Sequence, residues 1–200
     1  MREIALFAED FAHQLVIGAL VSKIAVEFNI EVRLDWRSAV GGYGRVITEV
    51  NNYMRDLIRQ ENPRPDLIVV ATDANCKGLN DRMKEIIGPE ELPPLIRAVP
   101  DPHIERWLLL DGSAFKAVFG VGCDAPDQKC DRRRYKQRLI EAIRNTGTIP
   151  RLGGIEYAED LVQHININRV ARLDRSFRRF VEALRNTYLE WKLQSRTASL

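Results

Sequence analysis

Acidic side chains follow three separate apolar segments of this chain, at positions where strands are predicted to end. Glu9 and Asp10 follow the first segment, Asp73 and Asn75 follow the second, and Glu105 lies shortly after the third. Acids that converge from three strands repel one another unless a positive charge lies between them. A divalent cation such as Mg²⁺ or Mn²⁺ supplies that charge and binds oxygen ligands. The pattern therefore predicts a metal site, although a single Asp after a strand is equally typical of helix capping.

Apolar runs and alternating patterns predict the strands that would position these acids. The clearest strand is the second of the acid-bearing segments, in which Leu67–Ala71 carries no polar side chain. Helical periodicity separates the strands, and this alternation is typical of a mostly parallel sheet with buried strands. In such sheets, ligands bind outside the carboxyl ends of the strands. The four predicted strands are Glu3–Ala8, Ile30–Trp36, Asp66–Thr72 and Pro94–Val99.

Charge divides the chain into two parts. Residues 1–130 carry 15 Lys and Arg against 20 Asp and Glu, whereas residues 131–200 carry 15 against 8. An acidic first part and a basic second part suit a protein that binds cations in one place and polyanions in another. We predict an α/β core over residues 1–118 and a helical, basic extension over residues 119–200 that packs on the same domain. A solvated face of Arg side chains is the alternative explanation of the basic part.

Basic side chains suggest two contacts with a nucleic-acid backbone. One group lies beside the glycine-rich loop 41–44, whose backbone N–H groups are able to bind phosphate at a helix start. The other begins the basic helix predicted over residues 132–144, where phosphate contacts would weaken with salt. A flexible loop and a solvated helix face are the alternatives. The candidate contacts are Arg37, Arg45, Arg132, Arg133, Arg134 and Lys136.

The cysteines and the apolar segments indicate the compartment. Three cysteines are few and odd in number, which argues against a disulfide-stapled secreted domain and for a reducing cytosol. Cys123 and Cys130 lie farther apart than the usual zinc-binding pair, so zinc is a weak alternative. The N-terminus has no signal-peptide pattern, and no apolar stretch approaches the roughly 20 residues of a membrane helix. We expect a cytoplasmic protein that does not enter a membrane.

Several segments resemble a known family. Pro102–Asp111 (PHIERWLLLD) is similar to the P-x-I-E-x-W-L-L-x-D segment of small bacterial TOPRIM-like proteins, known as domain of unknown function 4276. Gly154–Ala158 (GIEYA) and Ser176–Leu184 (SFRRFVEAL) are similar to the C-terminal part of that family. The TOPRIM fold is shared by topoisomerases, bacterial primases and nucleases of the overcoming-lysogenisation-defect type. The resemblance covers nearly the whole chain and implies a TOPRIM/Rossmann-like, mostly parallel four-stranded sheet flanked by helices, with a helical C-terminal extension.

The resemblance assigns roles to the acids. It implies that Glu9 is the catalytic acid of the first strand, that Asp73 is the first metal ligand, and that Glu105 is a third acid. Asn75 stands where the family has a second Asp, which keeps an oxygen ligand but removes a negative charge. Asp10 stands where many relatives have Gly. The implied metal ligands are Glu9, Asp73, Asn75 and Glu105, and the implied catalytic residues are Glu9, Asp73, Glu105 and Lys77.

Lys77 or Arg106 would neutralise the charge that builds on the phosphate, although Lys77 also fits a solvated surface position. Among the histidines, only His103, beside Glu105, is a candidate for the site; His13 and His164 fit structural positions.

The function implied by the resemblance is a Mg²⁺- or Mn²⁺-dependent nuclease that hydrolyses phosphodiester bonds in DNA or RNA. It would belong to a phage-defence or toxin-like system, with a separately encoded ATPase as partner and a homo-oligomeric assembly as a further expectation. The alternative from another class is a non-catalytic TOPRIM-like subunit of a defence complex, which Asn75 supports. A small-molecule phosphatase is the third alternative.

Overall fold

The four apolar segments pair into one all-parallel sheet with the strand order β2-β1-β3-β4. The structure is a computed structural model that describes residues 1–38, 41–88, 93–131 and 133–197. Helices flank the sheet, and a long helix ends the described chain, so the predicted α/β fold class is confirmed. The strands are β1 (Arg2–Ala8), β2 (Val32–Ser38), β3 (Leu67–Ala71) and β4 (Leu95–Ala98).

The helices follow the strands in the order that the periodicity predicts as far as residue 119. Beyond it, two short helices that were not predicted individually lie within the extension that was predicted to be helical. The helices are α1 (Phe11–Glu27), α2 (Tyr43–Ile58), α3 (Leu79–Glu85), α4 (Ile104–Leu109), α5 (Gly112–Phe119), α6 (Arg134–Arg144), α7 (Ala158–His164), α8 (Ile167–Leu173) and α9 (Arg175–Thr197). The loop predicted over residues 39–44 lies partly outside the described residues.

The two faces of the sheet bury different helices. Side chains alternate between faces along a strand, so Ile4 and Leu6 contact one helix layer while Ala5 and Phe7 contact the other. Helices α2 and α3 cover the second face, and α1 and the helices from α4 onward cover the first. Because both faces are covered at the two central strands, the buried part of β1 and all of β3 are continuous apolar runs.

Strand order places a crevice between β1 and β3. The chain leaves β1 for β2 through α1 on one face, and it returns to β3 through α2 on the other face. This change of direction separates the loops that follow β1 and β3, and it is the usual ligand position in open α/β sheets. The acids predicted from the sequence follow these two strands.

The C-terminal helices complete the larger core. Trp107 of α4 lies against the rings of Phe177 and Phe180 of α9, with centroid distances of 5.0 and 5.9 Å. All three side chains are fully buried. Within the described residues, no helix is both long enough and apolar enough to cross a membrane.

The cysteines differ from expectation. Cys76 and Cys130 form a disulfide across 54 residues, with their Cα atoms 5.3 Å apart. The zinc hypothesis for Cys123 and Cys130 is therefore wrong, because the Cys130 sulfur is bonded to Cys76. Cys123 is a free thiol, and burial raises its pKa to about 11, so it is a weak nucleophile. The bridge ties the segment after β3 to the segment before α6.

A close backbone approach at Gly112 gives a prediction for stability. A Cβ atom at Gly112 would lie 2.4 Å from the carbonyl oxygen of Cys123, and backbone cannot move away cheaply. We expect Gly112→Ala to lower the free energy of unfolding by about 1–3 kcal/mol, as overpacking usually does. Gly44→Ala is the matched control, since it also lies in the first turn of a helix but meets nothing within 4 Å. Urea denaturation of both variants checks this, and equal effects would contradict it.

Candidate active site

The site begins at the start of α1, where Asp10 caps the helix. Its Oδ1 atom accepts a hydrogen bond from the backbone N–H of His13 at 2.9 Å. The same oxygen lies 2.8 Å from the Nδ1 atom of the His13 ring. Burial acts to raise the pKa of Asp10, but the bonds and charge of His13 outweigh it and lower the pKa to about 2. Asp10 is therefore ionised at neutral pH.

His13 links the two acidic loops. Its Nε2 atom lies 3.0 Å from Oδ1 of Asp73, and its side chain is 1% exposed. Because both ring nitrogens face carboxylate oxygens, both donate only when the ring is an imidazolium. Burial acts to lower the pKa of His13, but the charge of Asp73 and the bonds to Asp73 and Asp10 raise it well above its ordinary value. A positive charge thus lies between the acids that follow β1 and β3.

Asp73 is bound on both oxygens. Oδ1 also accepts the backbone N–H of Ile104 at 2.9 Å, and Oδ2 lies 2.8 Å from Nδ1 of His103. Burial acts to raise the pKa of Asp73, but the charges and bonds of His13 and His103 lower it. Because Asp73 accepts the N–H of Ile104, the first residue of α4, it does cap a helix. That helix is α4 and not the helix that comes next after Asp73 in the chain.

Glu9 faces a different side of the crevice. Its Oε2 atom accepts hydrogen bonds from the hydroxyl of Thr72 and, at 3.2 Å, from the backbone N–H of Asp73. A Cβ atom at Gly42, the residue before α2, would lie 3.8 Å from Oε1 of Glu9. The first predicted acid therefore sits beside the glycine-rich loop, and Asp10 faces the α1 side.

Glu105, in the first turn of α4, has surroundings that disfavour its ionised form. Burial and then the negative charge of Asp73 raise its pKa above the ordinary value. A carboxylic acid with a raised pKa holds its proton closer to neutral pH and is able to donate it. His103 precedes it at the helix start, and burial acts against the charged ring while Asp73 raises the pKa of His103.

An open cleft of about 500 Å³ lies over this part of the site. Asp10 and Glu105 contribute the acids, and Lys136 of α6 and Arg151 contribute cations. Neither cation forms an ion pair with any carboxylate that the structure describes, and both are exposed. The complete lining is Asp10, Phe11, Ala12, Glu105, Lys136, Arg151, Leu152, Gly153 and Ile155.

The loop that carries Arg151 is held by Glu156. The Glu156 carboxylate accepts backbone N–H groups from Arg151, from Leu152 at 3.1 Å and from Gly154 at 2.9 Å. Burial acts to raise the pKa of Glu156, but these backbone bonds lower it. Gly153 has a φ of 73°, which favours glycine, and lies against the Lys136 side chain. The turn that Glu156 holds therefore positions Arg151 and contacts the side chain of Lys136.

A metal bound through Asp73 does not fit this arrangement. Both oxygens of Asp73 are used by His13, His103 and Ile104. Across the described ranges, no group of three or more His, Cys, Asp or Glu side chains is arranged to hold a metal ion. His13 supplies the positive charge that the sequence assigned to a cation. Binding of Mg²⁺ or Mn²⁺ by Glu9, Asp73, Asn75 and Glu105 stays a prediction.

Two predicted phosphate-neutralising residues lie outside the cleft. Arg106 is buried and paired with Asp174, so its predicted contact with phosphate is wrong. Lys77 is on the surface and paired with Glu85, which fits the solvated alternative. Asn75 has a φ of 51° and places its amide 3.5 Å from the backbone oxygen of Asp73.

The predicted nucleic-acid contacts are dispersed. Arg37 stacks over Tyr53 at 4.2 Å and bonds to Asp35, while Arg45 pairs with Glu49 at 3.0 Å. Arg37 lies near the end of β2, and Arg45 lies in the first turn of α2. Among the basic residues near α6, Arg133 is exposed, Arg134 pairs with Asp127, and Lys136 lines the cleft. Arg132 lies outside the described residues.

Sequence reasoning missed two residues of the site. His13 was expected to be structural, and the signal available was its position three residues after Asp10, one helical turn away. Arg151 belongs to a loop that carries no motif, so no signal pointed to it. Comparison with protein families, with curated proteins and with solved structures gives no match for this chain.

Proposed function

We propose that this chain is a hydrolase that cleaves phosphodiester bonds of nucleic acid in the cleft that the starts of α1 and α4 line. One observation carries the proposal: an acid with a raised pKa, Glu105, shares a cleft with two unpaired cations, Lys136 and Arg151. Cations bind phosphate oxygens, and a carboxyl group with a raised pKa is better suited to protonate a leaving oxygen near neutral pH than an ordinary carboxyl group. Both contributions assist phosphodiester hydrolysis.

The residues of the cleft divide the reaction between them. Lys136 and Arg151 bind the non-bridging phosphate oxygens and stabilise the charge that builds on them. Glu105 donates its proton to the leaving oxygen as the bond from phosphorus breaks. Asp10, which stays ionised because His13 faces it, orients the attacking water by accepting a hydrogen bond from it. The water releases its proton to solvent as its oxygen bonds to phosphorus, and Glu105 regains a proton from solvent after the leaving oxygen departs. His13 and His103 position Asp73 and Asp10 without contacting substrate.

Cleavage assays test this proposal. We expect the wild type to cleave plasmid DNA or total RNA, and Glu105→Gln to reduce the rate about 100-fold, the lower range for loss of a general acid. Glu159→Gln is the matched control, because Glu159 is an exposed acid of α7 that does not line the cleft. Glu9→Gln and parallel reactions with Mg²⁺, Mn²⁺ or EDTA test the predicted metal separately.

The absence of cleavage under every metal condition would contradict the proposal, as would full activity in Glu105→Gln. Retained activity on a simple phosphate ester, with none on polynucleotides, would favour the small-molecule phosphatase.

A non-catalytic binding subunit is the second candidate, and a specific observation favours it. Asp73 is engaged on both oxygens, and Asn75 lacks the negative charge of a second acid. Nucleic-acid binding without cleavage, unchanged by Glu105→Gln, would support this candidate. The phage-defence context, the ATPase partner and a homo-oligomer stay predictions of the resemblance.

A further inference from the structure

One aromatic ring in the cleft has no role in the proposed chemistry. Phe11 is the first residue of α1, lies next to Asp10 and is 51% exposed. An exposed phenylalanine forgoes the favourable free energy that burial of its side chain would give. By itself this is common on protein surfaces, so the neighbours of Phe11 decide its meaning.

Those neighbours combine apolar surface with positive charge. Leu152, which is 59% exposed, lines the same cleft between Arg151 and Gly153. Lys136 and Arg151 supply cations without partners among the described side chains. Aromatic faces beside cations that follow a backbone are typical of sites for single strands, where each base stacks on a ring.

A duplex cannot use this arrangement. In double-stranded DNA the bases expose only their edges in the grooves, and their faces are stacked on each other. A base reaches Phe11 with its face only when it is unpaired. The cleft of about 500 Å³ is within the size range of sites that enclose a small ligand.

We propose that the cleft binds single-stranded nucleic acid, with one unpaired base stacked on Phe11 and its phosphate held between Lys136 and Arg151. The choice of polymer rests on the proposed function. The inference adds a preference for single-stranded over double-stranded nucleic acid and names Phe11 as the residue that sets it.

Fluorescence anisotropy of the full chain tests this preference. The probes are a labelled 12-nucleotide single strand, as DNA and as RNA, and the duplex of the same sequence. All variants carry Glu105→Gln, which slows cleavage about 100-fold. We expect tighter binding of the single strand. Phe11→Ala should weaken that binding about 10-fold, within the range for loss of one stacked base, and should leave duplex binding unchanged. Phe11→Trp should restore it.

Two further variants separate stacking from other effects. Leu189→Ala removes an exposed apolar side chain of α9, outside the cleft, and should leave binding unchanged. Lys136→Gln should weaken binding of both probes and reduce the salt slope by about one phosphate contact. Equal binding of single strand and duplex, or no effect of Phe11→Ala, would overturn the inference. Single-strand binding without any cleavage by the wild type would instead overturn only the proposed function.

Discussion

Asp174→Asn is expected to lower the free energy of unfolding by about 3–5 kcal/mol, the cost of breaking a buried ion pair by removing one partner. Asp174 pairs with Arg106, and their side chains are 2% and 6% exposed. The Nε atom of Arg106 has no hydrogen-bond partner among the described residues. Asp174 is the carboxylate with which the guanidinium forms an ion pair. Without that carboxylate, a positive charge stays buried between α4 and α9.

The same carboxylate orders the start of α9. Asp174 accepts the backbone N–H of Phe177 at 2.7 Å and the hydroxyl of Ser176 at 2.5 Å. The Ser176 oxygen in turn accepts the indole N–H of Trp107 at 3.0 Å. Loss of the charge at Asp174 therefore weakens a network that joins both helices.

Urea denaturation and thermal unfolding measure this effect, and we expect the Tm to fall by about 10 °C. The matched control is Asp81→Asn, which breaks an exposed pair with Lys84 and should change stability by less than about 0.5 kcal/mol. Adding Arg106→Met to Asp174→Asn should recover part of the loss, because no unpaired charge remains. A loss below about 1 kcal/mol in Asp174→Asn would show that the pair is not buried as the structure has it.

His13→Gln is expected to reduce the pH dependence of stability that the wild type shows above pH 6.5. The pKa of His13 is raised well above its ordinary value of 6.5. A group with a raised pKa stabilises the fold fully below its unfolded pKa, and this contribution is lost as the pH rises through the folded pKa. The wild type should therefore lose stability on the alkaline side.

The acids on either side of His13 set the other limit. The pKa of Asp10 is lowered from 3.8 to about 2, and the pKa of Asp73 is lowered from 3.8. Their contribution is present above about pH 4 and is lost as the pH falls through the lowered pKa values. The group of Asp10, His13 and Asp73 is thus most stabilising between about pH 4 and 6.5.

Unfolding free energies across pH 4–9 check this expectation. His13→Gln should be less stable than the wild type by about 1–3 kcal/mol near pH 6, since buried Asp73 loses one of its two histidine partners. Its stability should also change less above pH 6.5. His164→Gln, which changes an exposed histidine of α7, should follow the wild type. An equal alkaline slope in His13→Gln and the wild type would contradict the assignment.

Local patterns in the sequence determined the α/β order and the edge at which the acids meet. The apolar run of β3 and the alternation in β2 are visible within a few residues of sequence. A strand that is buried on both faces needs apolar side chains throughout, whereas a strand that is covered on one face alternates apolar and polar side chains. Parallel strands then bring Glu9 and Asp73 to one edge whatever the packing. Two short helices, α7 and α8, were not predicted, because seven residues carry too little periodicity to identify.

Only the tertiary structure decided which charges neutralise those acids. His13 and Asp73 are 60 residues apart, Arg106 and Asp174 are 68 apart, and the bonded cysteines are 54 apart. Spacing along the chain gives no information on such pairs, since contact depends on how helices pack across the sheet. The sequence therefore indicated that positive charge was needed between the acids, and packing placed the His13 imidazolium there.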